Sequence, residues 1–160
     1  MIVQPSDGWA VLISSITWAT VSVAVGWAAT RWSPDRLSRT GPVTTLRRWE
    51  RNGQFWQRTL RVRAWKDRVP EAGGLFRQGG SMRHVGSLTR EGIEGFRRDT
   101  IRAERVHWSI LASTPIHLVW CRPAIAAGMV AFGVLFNAPF IVVQRYNRGR
   151  LDRMLARGHR

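Results

Sequence analysis

Residues 124–143 read AIAAGMVAFGVLFNAPFIVV and are followed at once by the basic segment QRYNR at residues 144–148. The apolar run carries no charge and has about the 20 residues that an α-helix needs to cross the hydrocarbon core of a bilayer. Asn137 and Pro139 interrupt it, which indicates a kink or a polar inner face. The run therefore predicts a transmembrane helix whose basic end lies in the cytoplasm.

A second uncharged run, WAVLISSITWATVSVAVGWAA, covers residues 9–29. It is also long enough to cross a bilayer, and Trp9 and Trp27 stand where interfacial tryptophans are expected. A signal peptide would begin with basic residues, but the first 30 residues contain no Lys or Arg. The first positive charge, Arg31, follows the run, which predicts an external N-terminus and a cytoplasmic segment after the helix.

A shorter apolar segment covers residues 106–120 and contains two histidines and Pro115. It is short for a span and Pro115 interrupts it, so we expect either a short membrane helix, which crosses if it starts earlier in the chain, or a re-entrant helix. Residues 121–123 form the predicted turn into residues 124–143. We therefore expect a C-terminal transmembrane helical hairpin that returns the chain to the cytoplasm, with residues 145–160 as a basic tail.

The charges are separated from the apolar runs. Residues 31–105 carry 18 basic and 8 acidic side chains, and the whole chain has a formal net charge of +15. Such a charge is typical of nucleic-acid binding, but 44% of the residues are hydrophobic and nine are Trp, which is unusual for a nucleic-acid-binding module. The pattern instead predicts a multi-pass protein of the bacterial cytoplasmic membrane.

The basic segment at residues 31–105 shows weaker local signals. Residues 43–52 resemble a short helix, and the alternation in residues 54–65 favours a short strand or a segment lying on the membrane surface. Cys121 is the only cysteine, so an intramolecular disulfide is excluded. We predict a mainly α-helical, integral membrane protein in which residues 1–160 form one domain and the basic segment contributes interfacial amphipathic helices.

Residues 96–111, FRRDTIRAERVHWSIL, hold the strongest candidate for chemistry. As a helix they bring Thr100, Glu104 and His107 to one face and turn the arginines to the other. A carboxylate beside an imidazole can orient the ring and raise its basicity, as a general base requires. An ionisable pair at membrane depth is by default a functional hypothesis. The alternative is an interfacial His and Glu that interact only for packing.

Two clusters, at residues 63–67 and 144–148, combine cations with aromatic side chains at the expected level of the lipid headgroups. They are candidates for binding a phosphate of the substrate, and the alternative is that their arginines only anchor the chain on the cytoplasmic side of the membrane. Together with residues near His107 they give the predicted substrate-binding set of Arg63, Trp65, Lys66, His84, Thr100, Trp108, Arg145 and Asn147. A metal site at His84, Glu104 and His107 lacks diagnostic spacing. We therefore predict neither a metal nor a bound cofactor, only acyl-CoA or another acyl thioester as a co-substrate.

Four short motifs occur in order along the chain: WERNG at residues 49–53, WKD-x-x-P at 65–70, E-x-x-HW at 104–108 and NAPFIVVQRYNRGRL at 137–151. With them the sequence resembles the small membrane acyltransferases typified by glycosyl-4,4'-diaponeurosporenoate acyltransferase of carotenoid biosynthesis. The resemblance implies transfer of an acyl group to a sugar hydroxyl of a glycolipid or lipid-linked sugar.

Three hypotheses for function follow. The first is a membrane acyltransferase in which Glu104 orients His107, the general base, while Lys66, Arg63 or Arg145 binds the donor phosphate or the charge that develops at the carbonyl. The second is a non-enzymatic scaffold or subunit of a lipid or cell-envelope biosynthesis complex, for which membrane lipids and other copies of the chain are possible partners. The third, membrane-tethered nucleic-acid binding, fits the Trp-rich composition least.

Overall fold

The computed structural model describes residues 5–69 and 89–157, and these residues form α-helices and short 3₁₀ turns with no β-strand among them. The α-helices are α1 (Asp7–Ala29), α2 (Pro34–Ser38), α3 (Gln54–Leu60), α4 (Arg90–Ser113) and α5 (Pro123–Arg157). The 3₁₀ turns cover Arg48–Glu50, Val62–Ala64, Lys66–Arg68 and Thr114–Val119. The prediction of a mainly α-helical chain is therefore confirmed.

Two of these helices, α1 and α5, are long and apolar enough to cross a membrane. Large apolar side chains stay exposed along both helices, including Trp9, Leu12, Ile16, Val23 and Trp27 of α1 and Phe132, Val134, Leu135 and Phe136 of α5. A surface of this size and composition is characteristic of a protein that contacts lipid or a partner. Both helices thus indicate association with a membrane.

Helices α4 and α5 pack side by side as an antiparallel hairpin. His107 in the C-terminal half of α4 meets Asn137 in the middle of α5. Arg97, nearly three turns earlier on α4, instead meets Asp152 near the end of α5, with Arg97 Nε 2.7 Å from Asp152 Oδ1. Because the contacts run in opposite order along the two helices, the C-terminal hairpin is present as an antiparallel pair, of which α5 but not α4 is long and apolar enough to cross a membrane.

The structure places two predicted boundaries differently. The division between residues 105 and 106 falls inside α4. This helix begins after Thr89, whose hydroxyl accepts a hydrogen bond from the Gly92 N–H. A 3₁₀ turn that contains Pro115 follows the helix. The division between residues 143 and 145 falls inside α5, which continues through Pro139. At about 1.5 Å per residue α5 is roughly 50 Å long, so it extends well beyond a hydrocarbon core of about 30 Å.

The short strand expected within residues 54–65 is wrong. Helix α3 covers the first part, and Arg61, with a left-handed φ of 48°, turns the chain into the Val62–Ala64 turn. Val62 is buried against Val143 and Tyr146 of α5, so one anchored apolar residue explains the pattern that resembled alternation. The helix expected at residues 43–52 is limited to the single turn Arg48–Glu50.

Helix α1 runs in the same direction as α5. Near its start Asp7 forms an ion pair with Arg122, just before α5, and further along Trp18 lies against Phe132 and Phe136. The segment that follows α1 therefore lies at the same end of the fold as the C-terminal half of α5. The basic residues of both segments share that end, as the charge pattern predicts.

Two arginines of α4 attach the segment after α1 to the hairpin. Arg97 Nη1 donates to the Ser38 carbonyl at 3.0 Å. Arg105 donates to the carbonyls of Arg36 and Arg39, each at 2.8 Å. These carbonyls lie at the C-terminal end of α2, where backbone oxygens have no hydrogen-bond partner within the helix and carry partial negative charge. The basic face of α4 thus fixes the position of α2.

Candidate active site

A buried cluster of charged side chains joins α4, α5 and the turn before α3, and its members are Glu50, Glu104, Arg145 and Arg148. Arg145 forms a bidentate pair with Glu50, with Nε 2.6 Å from Oε1 and Nη2 2.6 Å from Oε2. Its Nη1 lies 2.5 Å from Glu104 Oε1. Nη1 and Nη2 also donate to the carbonyls of Val43 and Thr45 at 2.8 and 3.0 Å. All five N–H groups of the guanidinium are therefore used within the protein.

Arg148 completes the cluster from the next turn of α5 and is 0% exposed. Its Nη2 lies 2.5 Å from Glu104 Oε2 and 2.5 Å from the Thr44 carbonyl. The indole N–H of Trp108 donates to the other Glu104 oxygen at 3.2 Å. Two carboxylates thus balance two guanidinium groups, which is the condition under which buried charges are tolerated.

Glu50 is ionised in this setting. Burial opposes its charge, but the hydrogen bond from Arg145, the backbone N–H of Arg47 at 2.5 Å and the indole N–H of Trp56 at 2.8 Å favour the carboxylate. Together these donors lower the pKa of Glu50 below its usual range. The first motif of the chain therefore supplies a fixed negative charge for Arg145.

The backbone of that motif is shaped to lie on α5. Arg51, Asn52 and Gly53 are all left-handed, with φ of 48°, 52° and 81°. A Cβ on Gly53 would lie 2.9 Å from the Tyr146 carbonyl oxygen, and a Cβ on Gly149 would collide with the Asn52 carbonyl. Glycine is needed at both points because any side chain would separate the two segments. The WERNG and QRYNRG motifs are thus one packing unit.

His107 stands apart from the charged cluster, about one turn further along α4. Its Nδ1 lies 2.8 Å from Asn137 Oδ1. The Asn137 amide N–H donates to the Gly133 carbonyl at 2.8 Å, so the amide oxygen is the atom turned to the ring. Nδ1 must then carry the proton and Nε2 the lone pair. Phe140 stacks on the imidazole with ring centroids 4.5 Å apart and 18° between the planes.

The predicted pair of Glu104 and His107 does share the side of α4 that faces α5, but the two side chains have different partners. Glu104 binds the guanidinium groups of Arg145 and Arg148, and Asn137 holds the His107 ring. A buried carboxylate gains more from the charge-assisted hydrogen bond of Arg145 and the ion pair with Arg148 than from a neutral imidazole. Orientation of the ring by Glu104 is therefore replaced by orientation through Asn137.

Arg63, Trp65 and Lys66 lie together on the 3₁₀ turns that pack on α5 through Val62. The Trp65 indole N–H donates to a backbone carbonyl at the end of α3, and Lys66 Nζ lies 2.6 Å from Asp67 Oδ1. Arg63 is exposed, whereas Trp65 and Lys66 are partly buried. The structure therefore holds these three predicted binding residues on adjacent turns beside α5.

The other predicted binding residues are placed less favourably. Thr100 and Asn147 are buried, and the Thr100 hydroxyl donates to the backbone of its own helix at 2.7 Å. All N–H groups of Arg145 have partners within the protein, and its role in phosphate binding stays a prediction. Trp108 is partly exposed beside the cluster. His84 lies outside the described residues.

Sequence reasoning gave no role to three residues that build this region. Asn137 was noted only as a sign of a kink or polar face, although a polar amide inside an apolar span is itself a functional signal. Glu50 and Arg148 belong to the WERNG and QRYNR motifs, but the motifs did not indicate their role, because their burial depends on contacts between distant segments.

The family of glycosyl-4,4'-diaponeurosporenoate acyltransferases matches residues 42–157 of the chain. Among curated proteins, the enzymes of that name from Staphylococcus aureus strains bovine RF122 / ET3-1 and MRSA252 are each 29% identical over 143 residues, which is 88% of this chain and 85% of the relative. No solved structure matches. The matched residues contain the whole charged cluster together with His107 and Asn137. The chain therefore belongs to the glycosyl-4,4'-diaponeurosporenoate acyltransferase family and is an acyltransferase, as the sequence predicted.

Proposed function

We propose that this acyltransferase works in the cytoplasmic membrane and moves an acyl group from a thioester to a hydroxyl of a glycolipid or lipid-linked sugar, with His107 as the general base. The names of the relatives support a glycolipid acceptor. The observation that carries the assignment of His107 is its hydrogen bond to Asn137, whose own bond to the Gly133 carbonyl fixes which ring nitrogen is basic.

The reaction uses this tautomer directly. His107 Nε2 accepts the proton of the acceptor hydroxyl as its oxygen attacks the thioester carbonyl. A C–O bond forms, the C–S bond breaks, and the departing thiolate receives the proton from Nε2. The imidazole is thereby restored, and the products are an ester and a free thiol. Asn137 acts as a positioning residue because it touches the ring rather than the substrate.

In this proposal the thioester donor binds at the basic end of the fold. Arg63 and Lys66 lie on turns that pack on α5 through Val62, beside Val143. Val143 and Asn137 are six residues apart on one helix, about 9 Å along its axis. The turns that carry these cations thus pack on α5 about two turns from the level of the base, and cations there suit the phosphates of a donor such as acyl-CoA, whose thioester must still reach the imidazole.

The proposed membrane topology follows from the separation of the apolar parts of α1 and α5 from the basic end of the fold. The apolar parts of α1 and α5 cross the bilayer, and the basic segment and the C-terminal half of α5 lie on the cytoplasmic side. The exposed apolar side chains of both helices support this placement. The acceptor then approaches His107 from within the bilayer, whereas the donor arrives from the cytoplasm.

The test compares lipid extracts of a gene-deletion strain and its parent by mass spectrometry, followed by complementation. We expect the deletion strain to accumulate a glycolipid that lacks one acyl group and His107→Gln not to restore it. His117→Gln, a matched change on the 3₁₀ turn that follows α4, should restore it. General-base loss predicts a fall in turnover of about 10²–10⁴-fold.

Two outcomes would reject the proposal. Identical lipid extracts from parent and deletion strain would favour a scaffold without this activity. Full complementation by His107→Gln, at equal amounts of protein in the membrane, would show that another group acts as the base.

A further inference from the structure

Aromatic rings form a continuous row along one face of α5 that ends at His107. Phe132, Phe136 and Phe140 are spaced four residues apart, so they lie above one another on the helix. Their ring centroids are 5.8 and 5.6 Å apart in turn. The last ring stacks on the His107 imidazole at 4.5 Å. We call these three phenylalanines the aromatic row.

The aromatic row passes from the lipid-facing surface into the protein. Phe132 and Phe136 are 47% and 44% exposed, whereas Phe140 is 9% exposed. Trp18 of α1 borders the open part, with ring centroids 5.5 Å from Phe132 and 5.0 Å from Phe136 and its plane steeply inclined to both. The row therefore has an open end toward the bilayer and a buried end at the proposed base.

We propose that the aromatic row binds the apolar chain of the acceptor lipid and so places the hydroxyl of its head group at His107 Nε2. This inference rests on the proposed function and adds the determinant of acceptor choice. Rings that only filled the space between helices would be buried along the whole row. The graded exposure instead leaves the two outer rings free to contact a chain that enters from lipid.

The geometry favours the acceptor chain over the acyl chain of the donor. The row leads away from His107 toward Phe132, opposite to the basic end where Arg63 and Lys66 lie. A lipid in the row presents its head group to the imidazole, which is the group that takes the acceptor proton. From Phe132 to Phe140 the helix rises about 12 Å. An extended chain of roughly ten carbon–carbon bonds of about 1.5 Å covers that distance as a zigzag.

The test measures kcat/KM in phospholipid nanodiscs for alkyl glucosides from butyl to hexadecyl, with palmitoyl-CoA as donor. We expect kcat/KM to rise with chain length up to about decyl, by at most roughly fourfold per CH₂, and then to level off. Phe136→Ala should cost about tenfold in kcat/KM for dodecyl glucoside, mainly through KM, and progressively less as the chain shortens. Leu135→Ala is the matched control, because Leu135 is 74% exposed and outside the row.

A second arm distinguishes the acceptor chain from the donor chain. With dodecyl glucoside held constant, acyl-CoA donors from butyryl to palmitoyl should give the same penalty for Phe136→Ala. A penalty that follows the donor chain would assign the row to the acyl group and overturn the proposal. A penalty equal for every acceptor would also overturn it, since that result indicates only damage to the fold.

A binding measurement separates failure of this inference from failure of the proposed function. In inactive His107→Gln, a dodecyl glucoside with a diazirine on its chain should label Trp18, Phe132 or Phe136 on illumination. Mass spectrometry locates the label, and unlabelled dodecyl glucoside should suppress it. Labelling at the row with no turnover in the wild type would count against the proposed reaction alone. Labelling elsewhere would overturn the binding site whether or not the chain is active.

Discussion

Replacement of Glu104 by Gln should destabilise the protein, so a loss of activity in this variant would not by itself identify a catalytic role. Glu104 is fully buried and binds both guanidinium groups of the cluster, with Arg145 Nη1 at 2.5 Å and Arg148 Nη2 at 2.5 Å. A glutamine keeps one oxygen for one of these arginines. Its NH₂ group must then face the donors of the other arginine, where two N–H groups cannot pair.

The magnitude follows from the charge left behind. With Glu104 neutral, the cluster holds two guanidinium groups and only Glu50, so one positive charge is buried without compensation. Breaking a buried ion pair by removing one partner costs about 3–5 kcal/mol. In a protein of this length each kcal/mol lowers the unfolding midpoint Tm by roughly 2–4 °C. We therefore expect Tm to fall by about 6–20 °C.

Tryptophan fluorescence during heating in detergent micelles measures this change, because Trp108 donates its indole N–H to Glu104. The control is Glu94→Gln, the same chemical change on the same helix. Glu94 lies 2.9 Å from Arg90 Nε, but its side chain is 40% exposed, and an exposed pair of this kind contributes only about 0.3–0.5 kcal/mol. If both variants unfold at the same temperature, the buried cluster does not carry the stability assigned to it.

Three further predictions concern the same packing unit. Gly149→Ala should lower the free energy of unfolding by about 1–3 kcal/mol, because its Cβ would meet the Asn52 carbonyl. The control is Gly128→Ala on the same helix, whose Cβ meets nothing within 4 Å and which should be neutral or slightly stabilising. Equal Tm values for the two variants would contradict the contact with Asn52. Arg145→Lys supplies three donors in place of five and should cost about 2–6 kcal/mol in the same assay, so a wild-type Tm would contradict the hydrogen bonds. The pKa of Glu50 is lowered in the fold, so its ionised form contributes to stability above the unfolded pKa of about 4.5, and this contribution is lost as pH falls through the folded pKa. Glu50→Gln should remove this acid-dependent loss of stability. An unchanged pH profile of Tm would argue against it.

The apolar runs and their charged borders were sufficient to predict the helical class, α1, α5 and the hairpin. These features depend on local composition and length, which the sequence displays directly. The strand expected near Val62 was wrong because a single residue anchored on α5 resembles alternation when its packing partner is unknown. The continuous course of α4 was missed because Pro115, rather than the change from charged to apolar residues, ends the helix.

The sequence was sufficient to predict that Glu104 and His107 share one side of a helix, but not which side chains they contact. A helical period brings Glu104 and His107 to one side of α4, and the structure has both there. Which side chain each one meets depends on the register between α4 and α5, and that register is set by residues 30 to 45 positions away. No pattern within one helix contains that information.

The charged cluster and the proposed base are linked by this register. Sliding α4 along α5 by one residue would draw Glu104 away from Arg145 inside the protein, where separation of a buried pair costs about 3–5 kcal/mol. The same register brings His107, one turn further along α4, opposite Asn137. The ion pairs thereby fix the position of the imidazole without touching it. A variant of Glu104 that folds but lacks activity would consequently report a displaced His107, and only a change at His107 itself tests the base.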